Sequence, residues 1–455
     1  MNILIVGAGV VGSNLAEELS LSGHNVSIVD RDMGVVRKLS ERMDVLAISG
    51  NAGQPSVLRR AGIADAEMVI AVTDIDEVNL VICMLARTFG VKHKIARIRN
   101  EEYAAHYVEH TLDPSALGID SIINPESLIT TTLLKILEIP GSNDVAVFGD
   151  GQVLLVTFDI SEDAPVAGMR LAALREASQM ASFLVVAIFR GEAPLIPKGD
   201  DEIHPGDQIA VLVNADTLPL VLPIIQRRVE PAQRVVIYGA NLVGQSLARH
   251  LQDRLDRVVL IEPDPERAQA AAMQLTRTLV LEGEATEPEV LGEADVAHCD
   301  FFMALSGDDE SNLLSALMAR RQKARRVAVL SQEPDYVPVL RSIGLDVVVN
   351  PRLVTVGEIL RYIRKGPVHT VARLRESEAE VMELEAMAGS KVVGQPLKSL
   401  GFPYGSIIGA VVRKSEVFIP DGNFQIEEGD SVVVFAMPEA IKKIEKLFSR
   451  KGLLG

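Results

Sequence analysis

The chain repeats one long pattern of strands, helices and turns, and this internal repeat limits the possible folds more than any other feature. Residues 2–13, which read NILIVGAGVVGS, resemble residues 235–246, which read VVIYGANLVGQS. Further matches follow in the same order, down to a Gly-Asp turn near residues 206 and 429. At 455 residues the chain exceeds the size of a single core. The repeat therefore predicts two halves, each made of a longer and a shorter part, with a boundary near Arg228 to Gln233, where Glu230-Pro231 breaks the pattern.

The longer part of each half alternates short β-branched runs with helical periods, which predicts βαβ units and a parallel sheet. The shorter part has short alternating strands around the Gly-Asp turn, which is typical of a small mixed module. The fold class we expect is α/β, with two Rossmann-like parallel-sheet domains alternating with two small α+β domains. We place the Rossmann-like domains at 1–123 and 233–349, the crossover helices at 124–140 and 350–366, and the small domains at 141–228 and 367–455.

A glycine-rich motif, GAGVVG, follows the first predicted strand and opens a helix. In this context Gly7 allows a tight turn, Gly9 lets the backbone approach a pyrophosphate, and Gly12 allows close packing of helix on strand. Asp30 ends the next strand, where a carboxylate can accept hydrogen bonds from an adenosine ribose and repels a 2′-phosphate. The motif predicts a site for NAD or another adenosine nucleotide rather than for NADP.

The second copy of the motif, GANLVG, keeps the first and third glycines but replaces the middle one with Asn241. Glu262 takes the place of the ribose acid. The Asn241 side chain would lie where a pyrophosphate approaches, so a weakened second site and a purely structural second copy both remain open at this stage.

Other polar residues follow the remaining strands at the sheet edge where ligands bind in open α/β folds. Thr73-Asp74 and Ser306-Gly307 follow the fourth strands, and the Gly50-Asn51-Ala52 turn could line an adenine pocket or be an ordinary turn. Arg97 and Arg99 alternate along one strand and could neutralise a β- or γ-phosphate. The second half has Leu330 and Gln332 in these positions, so the two sites cannot be equivalent.

Charge and composition exclude several classes of function. The formal net charge of −17 argues against binding to bulk nucleic acid or to anionic lipid. The longest apolar runs are too short to span a membrane, and the start of the chain shows no signal peptide. The two cysteines are expected to be buried core thiols in a reducing compartment. Residues 106–110, HYVEH, match a zinc-peptidase pattern, but the absence of an identifiable third ligand favours a surface helix and no metal site.

These motifs together resemble a known family over essentially the full length. The chain is similar to the peripheral NAD-binding subunits of Trk-type potassium uptake systems, which contain tandem RCK domains. The resemblance rests on GAGVVG with Asp30, the GNA turn, TDIDEVNL, ARIRN, the GID..INP crossover and the repeat of these features. It assigns to the first site Gly7, Ala8, Gly9, Val10, Val11, Gly12, Asp30, Asn51, Ala52, Thr73, Asp74, Arg97 and Arg99. It assigns to the second site Gly239, Ala240, Asn241, Leu242, Val243, Gly244, Glu262, Glu284, Ala285, Ser306 and Gly307.

The resemblance implies a regulator rather than an enzyme. Such a subunit binds NAD or NADH, with ATP and ADP as further candidates, and forms a homo-oligomer for which a tetrameric ring is expected and a dimer remains open. It works in the cytoplasm at the inner face of the plasma membrane, through an integral-membrane potassium-translocating partner and without inserting into the bilayer. The alternative is an NAD-dependent oxidoreductase, but neither small domain shows an acid–base pair suited to hydride transfer.

Overall fold

The computed structural model describes residues 1–21, 23–100, 103, 118–177, 183–191, 194–227, 230–363, 368–373 and 379–449. By its contacts the chain forms two compact units. One comprises residues 1–130, 330–337 and 349–360, and the other comprises residues 131–329, 338–348 and 361–455. Several of the domain limits expected from the sequence, at 228, 366, 367 and 455, lie outside the described residues, and the domain boundaries stay predictions.

The first sheet has six strands: β1 (Asn2–Val6), β2 (Asn25–Asp30), β3 (Leu46–Ser49), β4 (Met68–Ala71), β5 (His93–Arg97) and β6 (Ser121–Ile123). Their order is β3-β2-β1-β4-β5-β6, and every neighbouring pair is parallel. Because helices cover both faces of such a sheet, its central strands are continuous apolar runs. The strand β4 accordingly reads MVIA and is buried throughout.

The helices around this sheet are α1 (Val10–Leu21), α2 (Met33–Arg42), α3 (Pro55–Arg60), α4 (Asp76–Thr88) and α5 (Pro125–Glu138). The helix α5 is the predicted crossover helix. Its N-terminus has the expected cap, because the Asn124 Oδ1 accepts a hydrogen bond from the Ser127 amide at 2.8 Å and Pro125 occupies the first helical position.

The first small domain contains β7 (Ser142–Phe148), β8 (Val153–Asp159), α6 (Leu171–Ala177), β9 (Phe183–Phe189), β10 (Pro194–Leu195), β11 (Gln208–Asn214) and α7 (Leu218–Ile225). Its strands form an antiparallel sheet in the order β10-β9-β11-β8-β7. The Gly-Asp turn depends on Asp207, whose buried carboxylate accepts two hydrogen bonds from Arg190, at 2.8 and 2.7 Å, and one from the His204 amide at 2.8 Å.

The second parallel sheet repeats the order of the first, β14-β13-β12-β15-β16-β17. Its elements are β12 (Arg234–Tyr238), α8 (Leu242–Leu251), β13 (Arg257–Glu262), α9 (Pro265–Gln274), β14 (Leu279–Glu282), α10 (Pro288–Glu293), β15 (Phe301–Ala304), α11 (Asp309–Arg321), β16 (Val327–Leu330), α12 (Tyr336–Ser342), β17 (Val347–Val349) and α13 (Pro351–Ile363). The equal strand order explains the sequence repeat, since each half builds the same doubly wound sheet.

The second small domain contains β18 (Val368–Arg373), β19 (Glu380–Glu385), β20 (Ser406–Arg413), β21 (Glu416–Phe418), β22 (Ser431–Ala436) and α14 (Pro438–Phe448). Its antiparallel order, β18-β19-β22-β20-β21, is that of the first small domain. The Gly-Asp turn is also repeated, with buried Asp430 accepting two hydrogen bonds from Arg413 at 2.8 and 2.7 Å. The fold class predicted from the sequence is confirmed.

The two small sheets share one hydrophobic core. It joins buried residues of β8, β9 and β11 to buried residues of β19, β20 and β22. The sheets approach most closely at Gly409, where an added Cβ would lie 2.1 Å from the Leu212 Cδ1 and 3.1 Å from the Val186 Cγ1. A side chain at position 409 would therefore displace the facing strands.

The cysteines and the lengths of the helices are the subject of two further predictions from the sequence. Both cysteines are buried, and burial raises the pKa of the Cys83 and Cys299 thiols to about 12, so they stay protonated and inert. Within the described ranges, the helices are too short or too polar to cross a lipid bilayer.

Candidate nucleotide-binding site

The glycine-rich loop between β1 and α1 has the backbone that its motif predicts. Gly7 has a φ of +103°, and an added Cβ would lie 2.9 Å from the Thr73 amide nitrogen. A Cβ on Gly12 would lie 1.8 Å from the Gly7 carbonyl oxygen. At Gly9, by contrast, an added Cβ meets nothing within 4 Å. Gly7 and Gly12 are thus required by the protein's own packing, whereas the space beside Gly9 is open.

Asp30 ends β2 and fixes this loop. Its Oδ2 accepts a hydrogen bond from the Ala8 amide at 2.6 Å, and its Oδ1 accepts one from the Asp32 amide at 2.9 Å. A carboxylate has about four acceptor positions, so about two remain. The side chain is half-buried rather than enclosed. Asp30 can therefore hold the loop and still accept hydrogen bonds from two hydroxyl groups.

Asn79, on α4, organises the end of β4 and was not anticipated from the sequence. Its buried side chain accepts hydrogen bonds from the Thr73 amide at 3.0 Å and the Thr73 hydroxyl at 2.7 Å. It donates to the carbonyl oxygens of Thr73 and Arg97 at 3.0 and 2.8 Å. The signal available in the sequence is that an asparagine recurs at the matching place, Asn312, in the second copy of the repeat.

The two arginines expected at the sheet edge have different partners. Arg97 lies 3.3 Å from the exposed Asp74 carboxylate, whereas Arg99 lies 3.0 Å from Glu126 at the start of α5. Burial, and secondly the charge of Arg99, lower the pKa of Arg97. Among the described residues, no atom accepts a hydrogen bond from the buried Arg97 Nε. Arg97 is therefore the better placed of the two arginines to bind an anion at this edge.

Part of the expected site is core rather than ligand surface. Ala8, Val11 and Ala52 are at most 6% exposed, so only their backbone atoms could contact a ligand. Asn51 is exposed and folds back on its own turn, with its Oδ1 accepting a hydrogen bond from the Gly53 amide at 2.9 Å. Val10 is half-buried at the start of α1.

In the second half, Gly239 and Gly244 repeat the roles of Gly7 and Gly12. Gly239 has a φ of +104°, and a Cβ on Gly244 would lie 2.0 Å from the Gly239 carbonyl oxygen. Asn241, at the place of Gly9, has an ordinary extended backbone and caps α8. Its Oδ1 accepts a hydrogen bond from the Gly244 amide at 3.0 Å, and its Nδ2 donates to the Leu305 carbonyl oxygen at 2.5 Å. Asn241 is therefore an N-cap, and the unusual backbone that an asparagine tolerates is not used here.

The acid of the second half is enclosed. Glu262 is 1% exposed, and its Oε2 accepts a hydrogen bond from the Ala240 amide at 2.6 Å. Its Oε1 accepts one from the Asp264 amide at 3.0 Å and one from the Arg267 Nη2 at 2.5 Å. Glu262 thus accepts one more hydrogen bond than Asp30 does, and the additional donor is the cationic side chain of Arg267.

The remaining residues of the second site also have protein partners. Glu284 accepts a hydrogen bond from the Tyr238 hydroxyl at 2.8 Å, and burial and this carboxylate raise the pKa of Tyr238. Ser306 is held by Asn312 as Thr73 is by Asn79, at 2.8 and 2.7 Å. The core residues are again apolar: Ala240, Val243 and Ala285 are buried, whereas Leu242 and Gly307 are exposed.

The first site fits an adenosine nucleotide. The open space beside Gly9 adjoins the N-terminus of α1, where unpaired amides and the helix dipole favour phosphate. The two acceptor positions left on Asp30 equal the two hydroxyls of a ribose. For metals, the described part of the chain has no cluster of three His, Cys, Asp or Glu placed to hold an ion. The HYVEH segment at 106–110 lies outside the described residues.

Comparison with known proteins supports this reading of the fold. The TrkA-N domain family matches residues 3–125 and 235–351, and the TrkA-C domain family matches residues 155–226 and 381–449. The RCK domain of GsuK superposes with a TM-score of 0.62 at 16% identity, covering 98% of this chain and 94% of that one. The GsuK channel bound to NAD superposes with a TM-score of 0.61 at 17% identity, covering 98% and 78%.

Fold and site together define a protein with two Rossmann-like domains of the nucleotide-binding type, each followed by a small antiparallel domain. Relatives that match over the full length identify the family more narrowly than the fold does. The Trk system potassium uptake protein TrkA of Halomonas elongata is 36% identical over 98% of both chains. The protein of the same name from Haemophilus influenzae is 35% identical over 98% of both chains. The chain belongs to the TrkA family of Trk system potassium uptake proteins.

Proposed function

We propose that this chain is a cytoplasmic regulatory subunit that binds adenine nucleotides in its first Rossmann-like domain and thereby controls a membrane potassium transporter. One observation carries the proposal. Asp30 holds the glycine-rich loop through the Ala8 and Asp32 amides and keeps about two acceptor positions for a ribose. We expect this arrangement to favour a nucleotide with unmodified ribose hydroxyls, since a 2′-phosphate beside the carboxylate would be repelled.

NAD and NADH are the nucleotides we propose first, with ATP and ADP as further ligands of the same site. Arg97 supports the assignment of phosphate to this edge of the sheet. Its mostly buried side chain pairs, among the described residues, with the carboxylate of Asp74, which is itself exposed. A bound phosphate would place its charge beside the same guanidinium, and the displaced Asp74 carboxylate, which is 89% exposed, would remain in contact with water. The structural similarity to the GsuK channel bound to NAD is in keeping with this ligand class.

The partner we propose is an integral-membrane potassium-translocating subunit of the Trk type. The relatives are named as Trk system potassium uptake proteins over their full length. We infer that the chain works at the inner face of the plasma membrane, as a homo-oligomer that forms a tetrameric ring. We also propose a regulatory and not an enzymatic role for it.

Nucleotide control requires a difference in affinity between two conformations. A nucleotide that binds one conformation of the ring more tightly shifts the population toward that conformation by the same free energy. A coupling of about 1–3 kcal/mol changes the affinity, and the ratio of open to closed conformations, by roughly 5- to 150-fold. The shift in the ring's conformation would change the potassium conductance of the membrane subunit.

Nucleotide binding is tested by isothermal titration calorimetry of the purified full-length chain with NADH and with ATP. Asp30→Ala removes the ribose acceptors and should weaken binding by at least about tenfold, because charge-assisted hydrogen bonds contribute about 1.5–3 kcal/mol each. Glu41→Ala is the matched control, since Glu41 is an exposed carboxylate that pairs, within the part of the chain that the structure describes, with Arg37 one helix turn away. Failure of the wild type to bind any of these nucleotides would refute the proposal.

Control of transport is tested by potassium flux into proteoliposomes that contain the co-purified membrane subunit. Addition of nucleotide should change the flux with the wild-type chain and leave it unchanged with Asp30→Ala. The same preparation tests the oxidoreductase alternative. Consumption of NADH with a candidate metabolite, lost in Asp30→Ala, would favour an enzyme over a regulator.

A further inference from the structure

We propose that the second nucleotide site is occupied by the chain's own side chains, Asn241 and Arg267, so that each chain binds nucleotide only at its first site. This inference rests on the proposed function of the first site. Under this proposal, Asn241 and Arg267 keep nucleotides out of the second Rossmann-like domain, whose strand order and structural glycines are the same as those of the first.

Asn241 occupies the place of the phosphate. Its Oδ1 accepts a hydrogen bond from the Gly244 amide, one of the N-terminal amides that a pyrophosphate would use. The side chain cannot easily turn away, because its Nδ2 donates to the Leu305 carbonyl oxygen at 2.5 Å. Gly9 supplies neither group in the first domain, and the space beside it is open.

Arg267 occupies the place of the ribose. Glu262 accepts three hydrogen bonds, from Ala240, Asp264 and Arg267, and is 1% exposed. About one of its four acceptor positions is left for the two hydroxyls of a ribose. The matching residue after Asp30 is Val35, whose side chain has no hydrogen-bond donor. The cation thus neutralises the acid that would otherwise bind the ligand.

The charge around the second site also disfavours phosphate. Glu284 adds a carboxylate where the first domain has the neutral Asn51, and the Tyr238 hydroxyl donates to it at 2.8 Å. The strand position of Arg97 is taken by Leu330, so the cation of the first site has no counterpart there. A nucleotide would have to displace two internal contacts and approach two carboxylates.

Calorimetry of the full-length chain with NADH, and separately with ATP and NADPH, counts the sites directly. The wild type should bind one nucleotide per chain, and Glu262→Gln should change neither the number of sites nor the affinity by more than about twofold. Two sites per chain in the wild type, with one of them lost in Glu262→Gln, would overturn the inference. So would binding of NADPH that depends on Arg267.

The decisive variant carries Asn241→Gly and Arg267→Val, the residues of the first domain. Glycine is a tolerated helix N-cap, and the Arg267 side chain is 57% exposed, so the domain should still fold. This variant should gain a second site, and Arg277→Val, which removes another exposed arginine, should not. If the double variant remains at one site, Asn241 and Arg267 are not the groups that block it.

The same experiment separates this inference from the proposed function. If the wild type binds no nucleotide, the proposed function fails. The double variant then still reports on the second domain: one site per chain supports self-occupation, and none refutes it.

Discussion

Replacing Gly9 with asparagine should convert the first nucleotide site into a copy of the second. An added Cβ at position 9 meets nothing within 4 Å, so the side chain can be accommodated. The new amide is expected to cap α1 as Asn241 caps α8, where the Oδ1 accepts a hydrogen bond from an amide three residues on at 3.0 Å. The variant should therefore fold normally and bind nucleotide poorly.

The magnitudes follow from the same geometry. Asparagine is a better N-cap than glycine by a few tenths of a kcal/mol, so the stability of the domain should stay equal or rise slightly. A phosphate loses a charge-assisted hydrogen bond to the capped amide, which is worth about 1.5–3 kcal/mol. The dissociation constant for NADH should rise by roughly 10- to 150-fold.

Gly9→Ala is the matched control, because it adds the Cβ without the capping amide. Alanine is a poor N-cap, so this variant should lose about 1 kcal/mol of stability while it weakens binding less than asparagine does. Thermal melting and calorimetry of the three proteins measure both quantities. A Gly9→Asn variant that binds NADH within about twofold of the wild type would refute the reasoning for both sites.

Three further outcomes are expected. Gly409→Val should destabilise the paired small domains by about 1–3 kcal/mol, because a Cβ there would lie 2.1 Å from Leu212, and an unchanged thermal midpoint would contradict the shared core. Burial alone would raise the pKa of Asp207, but its hydrogen bonds with Arg190 outweigh that effect and lower the pKa. The ionised carboxylate therefore stabilises the folded state fully above the ordinary carboxyl pKa, and this contribution is lost as the pH falls through the lowered pKa of the folded state. In Asp207→Asn, stability measured between about pH 3 and 7 should vary less with pH than in the wild type, and equal slopes would count against this pair. Asn79→Leu leaves the Thr73 amide and the carbonyl oxygen of Arg97 without their partner, and should weaken ATP binding and lower the melting temperature together, whereas an effect on melting alone would exclude a role in the site.

The repeat made much of the architecture readable from the sequence. Both glycine loops, the acids that end β2 and β13, the crossover helix capped by Asn124 and the alternation of large and small domains follow from short-range patterns. Such patterns are reliable because a strand, a tight turn and a helix N-terminus each depend on residues a few places apart. The assignment of these residues to nucleotide binding remains a prediction that the calorimetry above would test.

The partners of those residues were beyond sequence reasoning. Asn241 looked like an obstacle to phosphate, and only the fold shows that it caps α8 and reaches Leu305, 64 residues further along the chain. Nothing in the sequence marks Arg267 as the partner of Glu262, because the same spacing after Asp30 holds a valine.

The sequence by itself therefore determined that two copies of the same doubly wound fold are present, since that depends on local backbone geometry repeated twice. The tertiary structure decided how they differ. Whether a carboxylate or a helix N-terminus can receive a ligand depends on the donors and acceptors that the rest of the chain brings to it, and those contacts are made through space. Asp30 keeps its remaining acceptor positions, whereas Glu262 is enclosed by its own domain.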